Sequence, residues 1–199
     1  GWAVVIPARR GRGGSDGTYD EGFHALRSAG YTCEPARSTA GADRALRDAD
    51  AITDAIVALP FVDASRLVVG GQSRGGILSV AWAGRHPDRV RGVINFAGGW
   101  LGTGCASASE VNQALLLRGT RYRGEMLWLY SPKDEYYPLA HTRGNFEAFE
   151  RAGGSATFLS IPKPANAIAH HIVADPTVWG AHVEAYLARR GLPAARLTP

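Results

Sequence analysis

Residues 71–75 read Gly-Gln-Ser-Arg-Gly, with the apolar run "RLVVG" (66–70) before them and "ILSVAWAGRH" (77–86) after. A serine with a glycine two positions away on each side, where a strand gives way to a helix, fits a strained turn that lifts a hydroxyl clear of a sheet. Small neighbours at both positions keep the turn from clashing. The turn also aims the backbone N–H of Arg74, at the start of the helix, toward an oxyanion formed at Ser73. A serine hydroxyl is a weak nucleophile until a base takes its proton, and the base needs an orienting acid. On this kind of turn the chain order is serine, then acid, then histidine. "EMLWLY" (125–130) is followed by "SPKDEYYP", which puts Asp134 in the loop past a strand end, with Glu135 as the alternative acid. Past the final strand, "PKPANAIAHHIVADP" carries His170 and His171 ahead of the last helix. Aspartate is also a common turn residue, and a lone surface histidine needs no role. In this order and these places, the three types predict acyl transfer through Ser73.

Such residues must be positioned by alternating strands and helices. The runs at 2–6, 66–70, 92–97, 125–130 and 156–161 are short, apolar and β-branched, and read as buried strands. Segments 42–59, 75–86, 108–119 and 139–153 have helical period, and a last helix over 176–191 starts at a proline and ends at a glycine. This alternation predicts an α/β fold with a parallel sheet covered by helices on both faces. No repeat or linker divides the chain, so one domain over 1–199 is expected. Segment 9–41, rich in Gly, Ser, Arg and Asp, is too long for a plain connection. It follows the first strand and should lie at the carboxyl edge of the sheet, where open α/β folds place ligands. It is no phosphate loop, since no GK[ST] follows.

Composition narrows the class. With 45% hydrophobic and 20% charged residues in 199, the chain has the make-up of a globular domain with a sizeable core. A net charge of +4 with scattered arginines gives no basic stripe for nucleic acid. No apolar stretch approaches the roughly 18 residues that span a bilayer. The chain shows no signal peptide, yet it begins without methionine, so that absence says nothing about compartment. Cys33 and Cys105 are too far apart for a CxxC motif and are either two free thiols or one disulfide. Both fall in loops expected on the same face. A bond there would shape the pocket rim and argue for an exported protein.

On "GWAVVIPARRGRGGSDG", "GGQSRGG", "LYSPKDEYYP" and the histidine loop before "WGAHVEAYL", the chain resembles the α/β-hydrolases over nearly its whole length. The resemblance is to the serine esterases and peptidases grouped around dienelactone hydrolase and the prolyl-oligopeptidase-like enzymes. It implies an α/β-hydrolase fold and cleavage of a small-molecule carboxylic ester, or an amide, without a cofactor. It implies Ser73 as nucleophile, Asp134 as acid and His170 as base. His170 is favoured over His171 because relatives place the base about nine residues before the helix tryptophan, here Trp179, although Ala169 stands where they have glycine. Dienelactone hydrolase itself uses a cysteine nucleophile, so lactone specificity does not carry over.

The resemblance also sets a strand order. "WAVVI" matches the family's fourth strand, and a third strand, absent from this sequence, lies between it and the nucleophile strand. The loop after that third strand supplies the second oxyanion N–H. Residues 2–6 and 66–70 are therefore not expected to pair directly, and an upstream segment of about 60–100 residues is expected to fill the gap. The rival reading, which this gap favours, is a catalytically inactive binding or structural protein of the same fold. Trp100, after a strand end, is a candidate for the substrate pocket or for plain core packing. Tyr136 and Tyr137, beside Asp134, are similar candidates. Arg9, Arg10 and Arg12 either bind an anionic group or are solvated and structural. Asp16, Asp20 and Glu21 cluster without a histidine or an EF-hand spacing, and no metal site is expected there.

Overall fold

A computed structural model of the chain describes residues 2–165 and 167–193. Four strands, β1 (Val68–Gln72), β2 (Gly92–Phe96), β3 (Met126–Tyr130) and β4 (Ala156–Ser160), form one all-parallel sheet in that spatial order. Parallel neighbours require crossovers. These are α2 (Arg74–Arg85), α3 (Ala108–Leu117) and α4 (Leu139–Arg151), while α1 (Pro35–Val57) precedes β1 and α5 (Pro176–Arg189) follows β4. Every residue of β2 and β3 is buried, whereas β1 and β4 are largely half-buried, as expected of central and edge strands.

The packing around the turn at Ser73 is dense. Residues Gly76–Gly84 of α2 are buried throughout. The helix comes so close to the turn after α3 that a Cβ on Gly84 would lie 1.9 Å from the Arg118 carbonyl oxygen. From α5, the Tyr186 hydroxyl accepts the Val93 N–H at 2.8 Å and donates to the Glu125 carbonyl at 2.9 Å, which joins that helix to the starts of β2 and β3.

Two sequence expectations are corrected. The first helix starts at Pro35 rather than 42, because proline pre-sets the first helical turn. Gly41 looked like loop but lies inside α1, where the loop backbone crosses the helix. A Cβ there would sit 2.3 Å from the Glu21 carbonyl carbon. The long segment after the chain start therefore shortens to 9–34.

The second correction concerns residues 2–6. They form no strand, and Val4 and Ile6 are 79% and 91% exposed. As expected, they do not pair with β1. A cavity of about 350 Å³ is lined by Ala3, Val5 and Ile6 together with Ile52, Ile56 and Val69. Apolar alternation favours a strand only where a neighbouring strand can take its backbone hydrogen bonds. Among the described residues, none does so for 2–6, nor for the outer edge of β1.

Candidate active site

Ser73 joins β1 to α2 with φ 56° and ψ −121°. Ser73 and Ala97 are the two non-glycine residues with positive φ among those described, so the turn is strained. Three backbone bonds hold it: Ser73 N–H to Phe96 O (2.9 Å), Ile77 N–H to Ser73 O (3.1 Å) and Gly99 N–H to Ser73 O (3.1 Å). The glycines divide their work differently from the sequence expectation. A Cβ on Gly71 would meet Gly75 backbone at 2.5 Å, whereas a Cβ on Gly75 would meet nothing within 4 Å. Gly75 is the surface that Gly71 packs on, and the second tight position is Gly76, whose Cβ would meet Asn95 Oδ1 at 2.4 Å. Arg74 is the first residue of α2, so its N–H has no partner within the helix.

The two side chains expected as acid and base meet. His170 Nδ1 lies 2.9 Å from Asp134 Oδ2, and both residues are about 95% buried. A carboxylate only accepts, so the imidazole proton sits on Nδ1 and Nε2 keeps its lone pair. The other oxygen, Oδ1, accepts the N–H groups of Tyr136 (2.8 Å) and Tyr137 (2.9 Å), which fixes the carboxylate plane. Glu135 is not the partner. Its carboxylate accepts the backbone N–H of His170 at 3.3 Å, and Gln72 Nε2 donates to the His170 carbonyl at 2.9 Å. These two contacts tie the histidine loop to the acid loop and to the end of β1. His171 is exposed, next to His170 at a kink with φ −91° and ψ 44°. Among the described residues, His170 bonds through Nδ1 to Asp134, and no hydrogen bond joins Ser73 Oγ to His170 Nε2.

The Arg74 guanidinium lies over the rings of Tyr31 (3.6 Å) and Trp100 (4.4 Å). It donates to the backbone oxygens of Glu21 (3.1 Å) and Trp100 (3.3 Å). The buried Glu21 carboxylate also pairs with Arg9 and accepts from the Tyr19 hydroxyl at 2.7 Å. Arg10 pairs with Asp48 at 2.9 Å, and Arg12 bonds to Tyr19 and Tyr31, so these arginines have partners within the chain. Trp100 is buried against Arg74, and Tyr136 is exposed with its ring 4.8 Å from that of His170. Cys33 and Cys105 are bonded, with Cα atoms 5.3 Å apart, which fastens segment 9–34 to the loop after β2. Glu21 and Tyr31 carried no sequence signal for this site, because only the fold brings their loop to Arg74.

Behind the site, His141 Nε2 accepts from Asn112 Nδ2 (3.0 Å) and Asn145 Nδ2 (3.1 Å), and its ring stacks on Tyr137. Asn112 in turn holds the Trp100 and Leu101 N–H groups at 2.8 and 3.0 Å. Burial pushes the His141 pKa below its ordinary 6.5. The folded state therefore binds this proton less readily than the unfolded chain, and stability falls as pH drops below about 6.5 until the folded-state pKa is passed. Urea midpoints measured between pH 7.5 and 5 are expected to decline over that window, and His141→Asn should flatten the decline.

With the geometry in place, likeness to known proteins adds the fold's identity. Residues 36–108, from α1 through α2 to the start of α3, match the prolyl oligopeptidase family (Peptidase_S9). No curated protein matches the chain. Among solved structures it is similar to a candidate dipeptidyl aminopeptidase IV from Bacteroides ovatus, at 17% identity and TM-score 0.58, over 77% of this chain and 24% of that one. It is similar to the esterase Pf2001 of Pyrococcus furiosus at 12% identity and TM-score 0.56, over 74% of this chain and 62% of that one. It is also similar to Est1E from Butyrivibrio proteoclasticus at 14% identity and TM-score 0.55, over 75% and 70%. The chain has the α/β-hydrolase fold. It spans about a quarter of the length of the Bacteroides protein.

Proposed function

We propose that the chain is a serine hydrolase that cleaves carboxylic esters, with amides as a second class, through an acyl-enzyme. The observation that carries this is the buried Asp134–His170 pair at 2.9 Å, with Nδ1 as the bonded nitrogen. It leaves Nε2 as a base, and Ser73 stands on a strained turn at the end of the strand whose Gln72 holds the His170 carbonyl.

Ser73 Oγ attacks the carbonyl carbon as its proton passes to His170 Nε2. Asp134 stabilises the imidazolium that forms. The Arg74 N–H stabilises the oxyanion, aided by the positive end of α2. Collapse expels the alcohol, which takes the proton from His170. Water then repeats the sequence on the acyl-Ser73 ester. The match of residues 36–108 to a serine-peptidase family and the likeness in fold to two esterases support this reaction class. No cofactor enters any step.

No described helix is long and apolar enough to cross a membrane. The Cys33–Cys105 bond is compatible with export, and we place the protein outside the reducing cytosol on that ground.

The rival reading is an inactive protein of this fold. A fluorophosphonate probe separates the two. Covalent labelling of the native chain that disappears in Ser73→Ala supports the hydrolase. A folded but unlabelled native chain supports the rival.

A further inference from the structure

We propose that Asn112 and His141 are positioning residues that clamp the loop 99–101 against the turn at Ser73, and that a proton taken up by His141 opens the clamp, so that acid switches the site off separately from the base; the proposal rests on the serine-hydrolase reading above. The loop touches the turn twice. Gly99 donates its N–H to the Ser73 carbonyl at 3.1 Å, and the Trp100 carbonyl accepts from Arg74 Nε at 3.3 Å.

Asn112, buried in α3, fills every hydrogen-bonding position of its side chain. Its Oδ1 accepts the N–H groups of Trp100 (2.8 Å) and Leu101 (3.0 Å). Its Nδ2 donates to the Leu101 carbonyl (2.8 Å) and to His141 Nε2 (3.0 Å). The two loop N–H groups fix which end of the amide is oxygen, so Nδ2 faces His141 and Nε2 must accept. Asn145 Nδ2 lies 3.1 Å from the same Nε2, and Nδ1, which then carries the ring proton, is 3.3 Å from Ser109 Oγ. The His141 ring also stacks on Tyr137, whose ring packs on the Gly99 backbone and whose N–H is held by Asp134 Oδ1 at 2.9 Å. One histidine thus supports both the loop beside Ser73 and the loop of the acid.

A second proton has no place in this arrangement. On Nε2 it would point at two N–H donors. Asn112 cannot turn its oxygen toward it, because the turned amide would set its NH₂ group against the Trp100 and Leu101 N–H groups and its oxygen against the Leu101 carbonyl. His141 is half-buried in the first turn of α4, so the charged ring is free to swing toward water. Its departure removes a bond from Asn112 and the face on which Tyr137 stacks. Among the described residues, the groups that face His141 are uncharged: Ser109 and Asn112 from α3, Asn145 from α4, and the Tyr137 phenol, whose pKa burial pushes up to about 12. No carboxylate among them would hold the proton on the ring, and burial lowers the His141 pKa further.

Hydrolysis of a p-nitrophenyl ester from about pH 8 to about pH 4 tests the proposal. His170 alone makes kcat/KM fall about tenfold per pH unit on the acid side, and a second group that must stay neutral steepens the fall toward about a hundredfold per unit. The native chain is expected to show the steeper fall while its tryptophan fluorescence stays native. His141→Gln, whose Oε1 can accept both amides but takes no proton, should keep native kcat at about pH 8 and fall about tenfold per unit throughout. Asn112→Ala is expected to lose about 10²-fold in kcat, with KM within about threefold. A native limb no steeper than tenfold per unit overturns the proposal, as does a steep limb that survives in His141→Gln. If Asn112→Ala does not fold, hydrogen exchange of the Trp100 and Leu101 amides in the native chain takes its place. Their protection should be lost on acidification while that of β3 persists, and protection kept until global unfolding overturns the proposal. Exchange needs no turnover, so it also separates the two readings. Amides that open with acid in a chain no fluorophosphonate labels contradict the hydrolase reading, and labelling of a chain whose amides stay closed contradicts the clamp alone.

Discussion

Ser73→Ala and His170→Ala are each expected to lower kcat by about 10⁶-fold, and the double variant should be scarcely worse than either alone. The two residues act as one unit. Without the hydroxyl, the base has no proton to take, and without the base, the hydroxyl is no better than an alcohol in water. Asp134→Asn should cost less, about 10⁴-fold, because it leaves the imidazole in place but favours the wrong tautomer at Nδ1. The structure makes that distinction sharp. Asp134 Oδ1 is occupied by two backbone N–H groups and Oδ2 alone faces His170, so the amide has no way to turn that satisfies both. Steady-state kinetics on p-nitrophenyl esters check all four proteins. Independent multiplication of the Ser73 and His170 losses would mean that they do not work as a pair.

Loss of the Cys33–Cys105 bond is expected to destabilise the chain by about 4 kcal/mol, the chain-entropy value for its sequence separation of 72. For a chain of this size that corresponds to a fall in melting temperature of about 10 °C. The bond fastens a segment with little regular structure, 9–34, to the loop that carries Trp100. Tyr31 and Trp100, on the two sides of that link, are also the two rings over which the Arg74 guanidinium lies. Thermal melts of the Cys33→Ser/Cys105→Ser pair, with and without reductant, check the value. A loss under about 1 kcal/mol would mean that the Glu21 network with Arg9, Tyr19 and Arg74 holds the segment unaided.

What could be read in the sequence was local. The glycines around Ser73 encode a backbone shape within five residues, and the buried strands β2 and β3 are continuous apolar runs. Asp134 and His170 were found from their loops and their order along the chain, and the structure brings those two side chains together. What could not be read depends on distant parts of the chain. The run at 2–6 has strand composition, but a strand needs a partner edge, and the cavity beside β1 shows that β1 is not that edge. Gly41 reads as a loop signal because glycine is costly in helices. Its reason for being there is the crossing of the Glu21 backbone, twenty residues earlier in the chain. Tyr136 and Tyr137 are indistinguishable as letters, and the turn geometry at Asp134 decides which of them is buried.

Mapping the modified residue tests the central claim most directly. The native chain is treated with a fluorophosphonate, digested with trypsin, and the peptide Leu67–Arg74 is weighed. Attack by Ser73 Oγ forms the phosphorus–oxygen bond, expels fluoride and hands the proton to His170. The account predicts that this peptide carries the probe mass, that Ser73 is the modified residue, and that His170→Ala nearly abolishes the adduct. A folded native chain whose Leu67–Arg74 peptide stays unmodified, or an adduct formed equally well without His170, would contradict it.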